Sequence, residues 1–169
     1  GIRAVLWHQG ESDANQPQAR SLPGYLYWQY MEKLVEGSRK DAGWQIPWFV
    51  AQATYHVPGD EFSLSVRAAQ KALWESGLML RGPDTDSLKG EMRENTGKGV
   101  HFSEKGLYAH AELWKARVVP WLENQLEKQK FDKILPVKGE VFSVIGREAF
   151  VILPGKISGT IPWVWYAPT

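Results

Sequence analysis

The sequence contains no cysteine, which excludes disulfide scaffolds, zinc sites with thiolate ligands and cysteine nucleophiles. An excess of charge of one sign is also lacking, because 20 basic residues stand against 19 acidic ones and the formal net charge is +1. No apolar run approaches the ~20 residues that a membrane-spanning helix needs. We therefore expect neither nucleic acid nor a membrane to be the main partner.

Tryptophan is abundant instead, with nine copies among the 169 residues. The overall composition, 43% apolar and 23% charged, is typical of a globular domain that can bury a core. Tryptophan most often packs in such a core, although its flat apolar face also suits the stacking of a sugar ring. The tryptophans are therefore compatible with a carbohydrate ligand but do not require one.

Apolar periodicity predicts strands that alternate with helices. Strands are predicted at 2–7, 46–53 and 78–82, and helices at 22–37, at 63–76 with Ser63 as the N-cap, and from Ser103 onward with a kink at Pro120. The apolar stripes of these helices comprise Tyr25, Trp28, Met31 and Val35, then Val66, Ala69 and Leu73, then Leu107, Ala111, Trp114, Val118 and Trp121. This alternation predicts an α/β fold with a parallel sheet built from βαβ units.

The pattern changes beyond about residue 130. The run "GEVFSVIGREAFVIL" has β-branched and aromatic arms on either side of Ile145-Gly146, which predicts a hairpin, and "IPWVWYAPT" predicts one more short strand. We therefore predict an α/β domain at 1–129 and, at 130–169, a linker with the β-rich start of a second domain. Because the chain starts with Gly1 and a strand follows at once, we expect it to be a piece of a longer polypeptide.

A dense polar cluster, "HQGESDAN", directly follows the first predicted strand. Ligands of parallel sheets bind beyond the carboxyl ends of the strands, so this position favours a functional site. The alternative is a capped turn made by Glu11, Ser12 and Asp13. A turn does not need the His-Gln-Gly run that precedes these three residues, and we therefore favour the functional site.

Three motifs occur along the chain, "WHQGESD" at 7–13, "VRAAQ" at 66–70 and "GVHFSEKGL" at 99–107. Together they resemble the sialate O-acetylesterase and acetylxylan-esterase-like branch of the SGNH hydrolases, over about residues 2–128. The resemblance implies a three-layer, flavodoxin-like α/β hydrolase that works without a cofactor in the periplasm or outside the cell. Its implied partner is an acetylated carbohydrate substrate, such as acetylated sialic acid or xylan.

The serine nucleophile of that family has no counterpart in this sequence. In the family it lies in a Gly-Gln-Ser-Asn-type block after the first strand, and no such block occurs here. The resemblance therefore implies the C-terminal part of an esterase domain, with the nucleophile in an upstream part of the same polypeptide. Ser12 within "GES" is an in-chain alternative, but a nucleophile elbow needs glycine two residues after the serine, where Ala14 stands.

His101 is the candidate general base. It precedes a predicted helix, so its ring is expected at a loop end, where an imidazole can take a hydroxyl proton and return it to the leaving alcohol. The family places an aspartate three residues before this histidine, but Lys98 stands there and cannot accept the imidazole hydrogen. We expect Glu11 to orient the ring instead, with Asp84 and Asp86 as the alternatives.

Ester hydrolysis also needs hydrogen-bond donors for the oxyanion of the tetrahedral intermediate. Gln9 and Gly10 fit this role, because an amide is a neutral donor and glycine lets the backbone approach closely. The corresponding block of the family contributes to the same oxyanion hole. Arg67 and Gln70 lie three residues apart on one helix face and can reach one spot. Arg67 either binds a substrate carboxylate or braces the loop, and His8 either binds substrate or orients its loop.

Metal-dependent hydrolysis is disfavoured, and one other function class remains as an alternative. The four histidines show no spacing typical of a zinc site, so no metal is expected, and His56 and His110 are expected to be structural. A catalytically inactive carbohydrate-binding module on the same fold is the alternative to an esterase. An upstream segment without the serine would favour that module.

Overall fold

A computed structural model describes residues 2–14, 21–128, 139–144 and 147–151. The chain divides into two compact units, Gly1–Trp121 and Leu122–Thr169. The first unit contains a parallel sheet with helices packed on it, and the second contains an antiparallel pair of strands.

Three short parallel strands form the sheet: β1 (Val5–Trp7), β2 (Trp48–Gln52) and β3 (Leu80–Asp84). Strand β2 lies in the centre and pairs with β1 on one side and with β3 on the other. Parallel neighbours need a crossover connection, which helices α1 (Gly24–Ala42) and α2 (Leu64–Glu75) supply. The predicted α/β fold with βαβ units is therefore confirmed.

The helix ends follow from the local sequence. The side-chain oxygen of Ser63 accepts a hydrogen bond from the backbone nitrogen of Val66 at 3.3 Å, so Ser63 caps α2 as predicted. Helix α1 ends at Gly43, whose φ of 72° is easily adopted by glycine. Helix α3 spans Glu104–Lys128 and includes Pro120. The predicted start of this helix near residue 103 is confirmed.

The two faces of the sheet are covered by different helices. Trp48 and Val50 of β2 lie in an apolar cluster with Leu73 and other buried residues of α1 and α2. Phe49, which alternates with them, lies in a second cluster with Trp114 of α3. Strand β2 is thus buried on both faces, which explains its continuous apolar sequence.

Two of the predicted apolar stripes are wrong at the start of their helices. Three residues predicted to be buried are exposed: Tyr25 at 66%, Leu107 at 56% and Ala111. The buried stripe of α1 begins with Tyr27 instead, and the Tyr27 hydroxyl group donates to the loop after β1. At the first turn of α3, the backbone of Gly106 packs directly on that of Met92. The approach is so close that a Cβ at Gly106 would lie 1.9 Å from the carbonyl oxygen of Met92. Close backbone contact rather than leucine packing holds this end of α3.

The second unit contains two antiparallel strands, β4 (Glu140–Val144) and β5 (Arg147–Val151), with Val141 opposite Phe150. They match the two arms of the predicted hairpin. The predicted turn at 145–146, the predicted linker at 130–138 and the strand predicted in 161–169 lie outside the described residues. The assignment of this region to the start of a second domain stays a prediction.

Leu73 and Leu64 offer a matched pair on α2, since the first is fully buried and the second is 78% exposed. We expect Leu73→Ala to lower the free energy of unfolding by about 2–5 kcal/mol, because it leaves a cavity between α2 and the sheet. The control Leu64→Ala should change that free energy by less than about 0.5 kcal/mol. Urea unfolding of both variants measures the difference, and equal losses would contradict this assignment of the core.

Candidate active site

Polar side chains from all three strand ends meet at one edge of the sheet, as the parallel topology requires. Nε2 of His8, in the loop after β1, lies 2.9 Å from the hydroxyl oxygen of Thr85, which follows β3. Thr85 donates its single hydroxyl hydrogen to the carbonyl oxygen of Gln52, at the end of β2. Nε2 of His8 must therefore carry the hydrogen of the bond to Thr85.

Gly10 packs against the end of β2 too closely for any other residue. A Cβ at this position would lie 2.3 Å from the carbonyl oxygen of Ala53 and 2.6 Å from the Nε2 atom of Gln70. The buried amide of Gln70 donates to the carbonyl oxygen of Gln9 and accepts from the backbone nitrogen of Ala53. Tyr27 adds a second hydrogen bond to the same Gln9 carbonyl at 2.8 Å. The loop after β1 is thus fastened to β2 through its backbone.

The side chain of Gln9 is held by a neighbour in the same loop. Its amide nitrogen donates to Oδ2 of Asp13 at 2.7 Å. The backbone nitrogens of Asp13 and Ala14 both donate to the carbonyl oxygen of Gly10, which closes the turn that contains Glu11. The capped turn considered for this segment is therefore present, and it fixes the two residues predicted to donate to an oxyanion.

Arg67 is bound by two aspartates, Asp84 at the end of β3 and Asp86 just after it. Its guanidinium donates two hydrogen bonds to Asp84 and one to Asp86, at 2.6–2.9 Å, and a further one to Gln52. The hydrogen bonds to Asp84, against the effect of burial, raise the pKa of Arg67 above its usual range. Burial alone would raise the pKa of the Asp84 carboxyl, but the hydrogen bonds and charge of Arg67 hold it below its usual range. The guanidinium of Arg67 is thus bound by carboxylates of the protein itself.

Asp86 is the most buried member of that network, with 3% of its surface exposed. Its two carboxylate oxygens accept hydrogen bonds from the backbone nitrogens of Thr54 and Tyr55 and from the Thr54 hydroxyl group, at 2.7–2.8 Å. Together with Arg67, these donors satisfy a charge that would otherwise be costly to bury. Asp86 therefore ties the segment after β2 to the segment after β3.

Glu11, the expected acid of the triad, lies beside His8. The two side chains approach to 3.8 Å, between Oε1 of Glu11 and Nδ1 of His8. Burial raises the pKa of the Glu11 carboxyl, and burial also lowers the pKa of His8 despite the nearby charge of Asp86. Among the described residues, the imidazole that Glu11 approaches is thus that of His8, and its role as the acid for His101 stays a prediction.

His110, which the sequence predicted to be structural, lies inside the same cluster. Its ring centroid is 4.8 Å from those of both His8 and Phe102. Its Nε2 accepts a hydrogen bond from the indole nitrogen of Trp114 at 3.1 Å. Burial, together with the charges of His8 and Arg93, lowers the pKa of His110 to about 4. His110 is therefore neutral at pH 7 and packs as an aromatic ring.

His101 lies in the loop before α3, and its side chain is 79% exposed. The side-chain oxygen of Ser103 accepts a hydrogen bond from the backbone nitrogen of Gly106 at 3.1 Å, so Ser103 caps α3. Nδ1 of His101 lies 2.8 Å from Oε1 of Glu94. The ring is therefore at a loop end, as expected, and it has a carboxylate partner.

Glu94 is the residue of the site that the sequence reasoning did not identify. It lies seven residues before His101, a separation of about two helical turns, but the two residues are not on one helix, because turns and bends follow at 98–101. The backbone between the two includes Asn95 and Thr96 with positive φ angles of 51° and 56°. No propensity rule predicts such a conformation for threonine, so the sequence carries no signal for this contact.

Within 2–14, 21–128, 139–144 and 147–151, no group of three or more histidine or acidic side chains could hold a metal ion. In the same ranges, no helix is both long and apolar enough to cross a membrane.

The fold and the polar strand ends are compatible with an esterase domain of the SGNH type. A family model described as carbohydrate esterase, sialic acid-specific acetylesterase, matches residues 1–114. The chain belongs to this family, which confirms the resemblance that the three motifs carry. Comparisons with curated proteins and with solved structures find no match.

The neutral state of His110 makes the stability of the fold depend on pH. Its folded-state pKa of about 4 lies below the ordinary 6.5, so the unfolded chain binds more protons between these values. Stability from this group is complete above about pH 6.5 and is lost as the pH falls toward 4. His110→Gln keeps an oxygen that can accept from Trp114 but does not titrate. Between pH 6.5 and 4, we expect the free energy of unfolding, measured with urea, to fall less for the variant than for the wild type. An equal fall in both proteins would contradict a buried neutral His110.

Proposed function

We propose that the protein is a carbohydrate O-acetylesterase that hydrolyses acetyl esters of sugar hydroxyl groups by serine-type acyl transfer. Acetylated sialic acid and acetylated xylan are candidate substrates. The observation that carries the proposal is the exposed ring of His101, whose Nδ1 lies 2.8 Å from a carboxylate oxygen. With Nδ1 engaged in this way, Nε2 is the atom that can take a proton from a hydroxyl group.

The proposed nucleophile is a serine of a Gly-Gln-Ser-Asn-type block in an upstream part of the same polypeptide. Nε2 of His101 takes the serine proton as the serine oxygen bonds to the acetyl carbon. The intermediate then breaks its bond to the sugar oxygen, which takes the proton from His101 and leaves as a hydroxyl group. Water attacks the acetyl-serine by the same proton route, which releases acetate and restores the serine.

Gln9 and Gly10 are the proposed oxyanion donors. The bond to Asp13 uses one of the two amide hydrogens of Gln9 and fixes the position of the amide, so the second hydrogen is the proposed donor. The backbone nitrogen of Gly10 is the proposed second donor, and its close contact with Ala53 limits how far it can move. Donors that are fixed before the reaction stabilise the developing charge most effectively.

The sequence offers His8, Arg67 and Gln70 as substrate-binding residues, with a structural alternative open for His8 and Arg67. Their contacts favour an indirect role, because each side chain is hydrogen bonded to protein groups at the strand ends. In this proposal they hold the loop after β1 and the segment after β3 in place beneath the substrate. For Arg67, this is the bracing alternative.

The test is acetate release from O-acetylated sialic acid and from acetylated xylan, using a polypeptide that extends upstream through the serine block. Hydrolysis of either substrate supports the proposal. Binding of the same sugars without hydrolysis would support the carbohydrate-binding module instead. Ser12→Ala should retain activity, and its loss would assign the nucleophile to the turn after β1.

His101→Ala in that extended polypeptide should reduce kcat by at least about 10²-fold, because it removes the general base. The melting temperature should change little, since the ring is 79% exposed. His56→Ala is the matched control, and we expect it to keep activity close to that of the wild type. Comparable kcat values for the two variants would contradict the role of His101.

Gln9→Ala should lower kcat by about 10²–10³-fold with little change in KM, as expected for a donor that acts mainly in the transition state. Gln29→Ala, an exposed change on α1, is the control. Steady-state kinetics of both variants separate the two parameters. A rise in KM at constant kcat would make Gln9 a substrate-binding residue instead.

A further inference from the structure

We propose that Glu94 is the carboxylate that positions His101 for catalysis, an inference that rests on the proposed esterase function. Oε1 of Glu94 lies 2.8 Å from Nδ1 of His101. An ionised carboxylate can only accept hydrogen bonds, so Nδ1 must carry the hydrogen of this contact. Nε2 of the neutral ring then holds the lone pair that a general base uses.

The same two residues are also joined through their backbones. The backbone nitrogen of Glu94 donates to the carbonyl oxygen of His101 at 3.0 Å. One residue further out on each side, Arg93 and Phe102 form an antiparallel bridge. The side-chain contact therefore sits on a closed loop whose two ends are paired, and this pairing limits the relative motion of the carboxylate and the ring.

The loop is closed by a strained conformation. Asn95 and Thr96 both adopt left-handed backbone angles, which are costly for a β-branched residue such as threonine. The carbonyl oxygen of Glu94 accepts a hydrogen bond from the backbone nitrogen of Gly99 at 3.0 Å. A Cβ at Gly99 would lie 2.2 Å from Cγ of Glu94, so glycine is needed for the Glu94 side chain to lie where it does.

Stability does not account for this strain. The side chain of His101 is 79% exposed and that of Glu94 is 40% exposed, and an exposed pair of this kind contributes little to the stability of a fold. Backbone strain that does not stabilise the fold is typical of functional sites, where the surrounding structure maintains it. We therefore attribute the strained loop to a function of the His101 imidazole, which the loop holds beside the Glu94 carboxylate.

The experiment measures the tautomer of His101 by long-range ¹H–¹⁵N NMR of the chain 1–169. Wild-type His101 should be mainly the Nδ1–H tautomer in its neutral form, and Glu94→Ala should shift it toward Nε2–H. Glu91→Ala is the matched control, because Glu91 lies in the same segment and pairs with Lys105 rather than with a histidine. If Glu11→Ala shifts the tautomer and Glu94→Ala does not, the inference is overturned in favour of Glu11.

Kinetics of the upstream-extended polypeptide provide the second readout. Glu94→Ala should lower kcat by about 10- to 100-fold at nearly constant KM, as expected for the loss of a charge-assisted hydrogen bond. Glu91→Ala should keep the wild-type kcat. An unchanged kcat in Glu94→Ala would overturn the inference, whatever the tautomer. If the wild type has no esterase activity, the proposed function fails, and the tautomer data show separately whether Glu94 orients the ring.

Discussion

The arrangement of the candidate site depends on the burial of one charged group, the guanidinium of Arg93. Arg93 is 3% exposed and lies between the rings of Tyr55 and Phe102, at 4.0 and 4.3 Å from their centroids. Its nitrogens donate to the carbonyl oxygens of Thr85, Leu88 and Val100. Burial lowers the pKa of Arg93, so these carbonyls and aromatic faces must replace water around the charge.

The contacts of the Arg93 side chain join three separate segments of the chain. Tyr55 follows β2, the Thr85 and Leu88 carbonyls follow β3, and Phe102 belongs to the loop that carries His101. Phe102 also packs on the ring of His110, which in turn lies against His8 of the loop after β1. The position of the His101 loop is therefore set by a buried charge and a stack of rings, and an apolar core packs beneath them.

Much of the fold could be predicted from the sequence because its signals are local and periodic. The continuous apolar run of β2, the cap at Ser63 and the stripe that contains Leu73 each depend on residues close in the chain. Leu107 was predicted to be buried and is not, because a backbone approach at Gly106 replaces side-chain packing at that turn. Periodicity describes side-chain faces and contains no information about close backbone contacts.

The candidate site was predictable in its location but not in its pairing of charges. Parallel strands bring their carboxyl ends to one edge, so the position of the His8 loop followed from topology. Which carboxylate meets which imidazole depends on loop geometry, and the left-handed angle at Thr96 has no propensity signal. The sequence likewise left two roles open for Arg67, and its contacts with Asp84 and Asp86 depend on positions that the sequence does not give.

Among the described residues, His8, His56 and His101 each have a carboxylate neighbour, and the environments of His8 and His101 suit them to different tasks. Burial lowers the pKa of His8 and raises that of Glu11, so burial drives both groups of that pair toward their neutral forms. A general base must become positively charged when it takes a proton, and a buried neutral pair resists that change. His101 and Glu94 are exposed to water, which solvates the imidazolium as the carboxylate orients it. The exposed pair is therefore suited to proton transfer, and the buried pair is suited to holding the loop after β1.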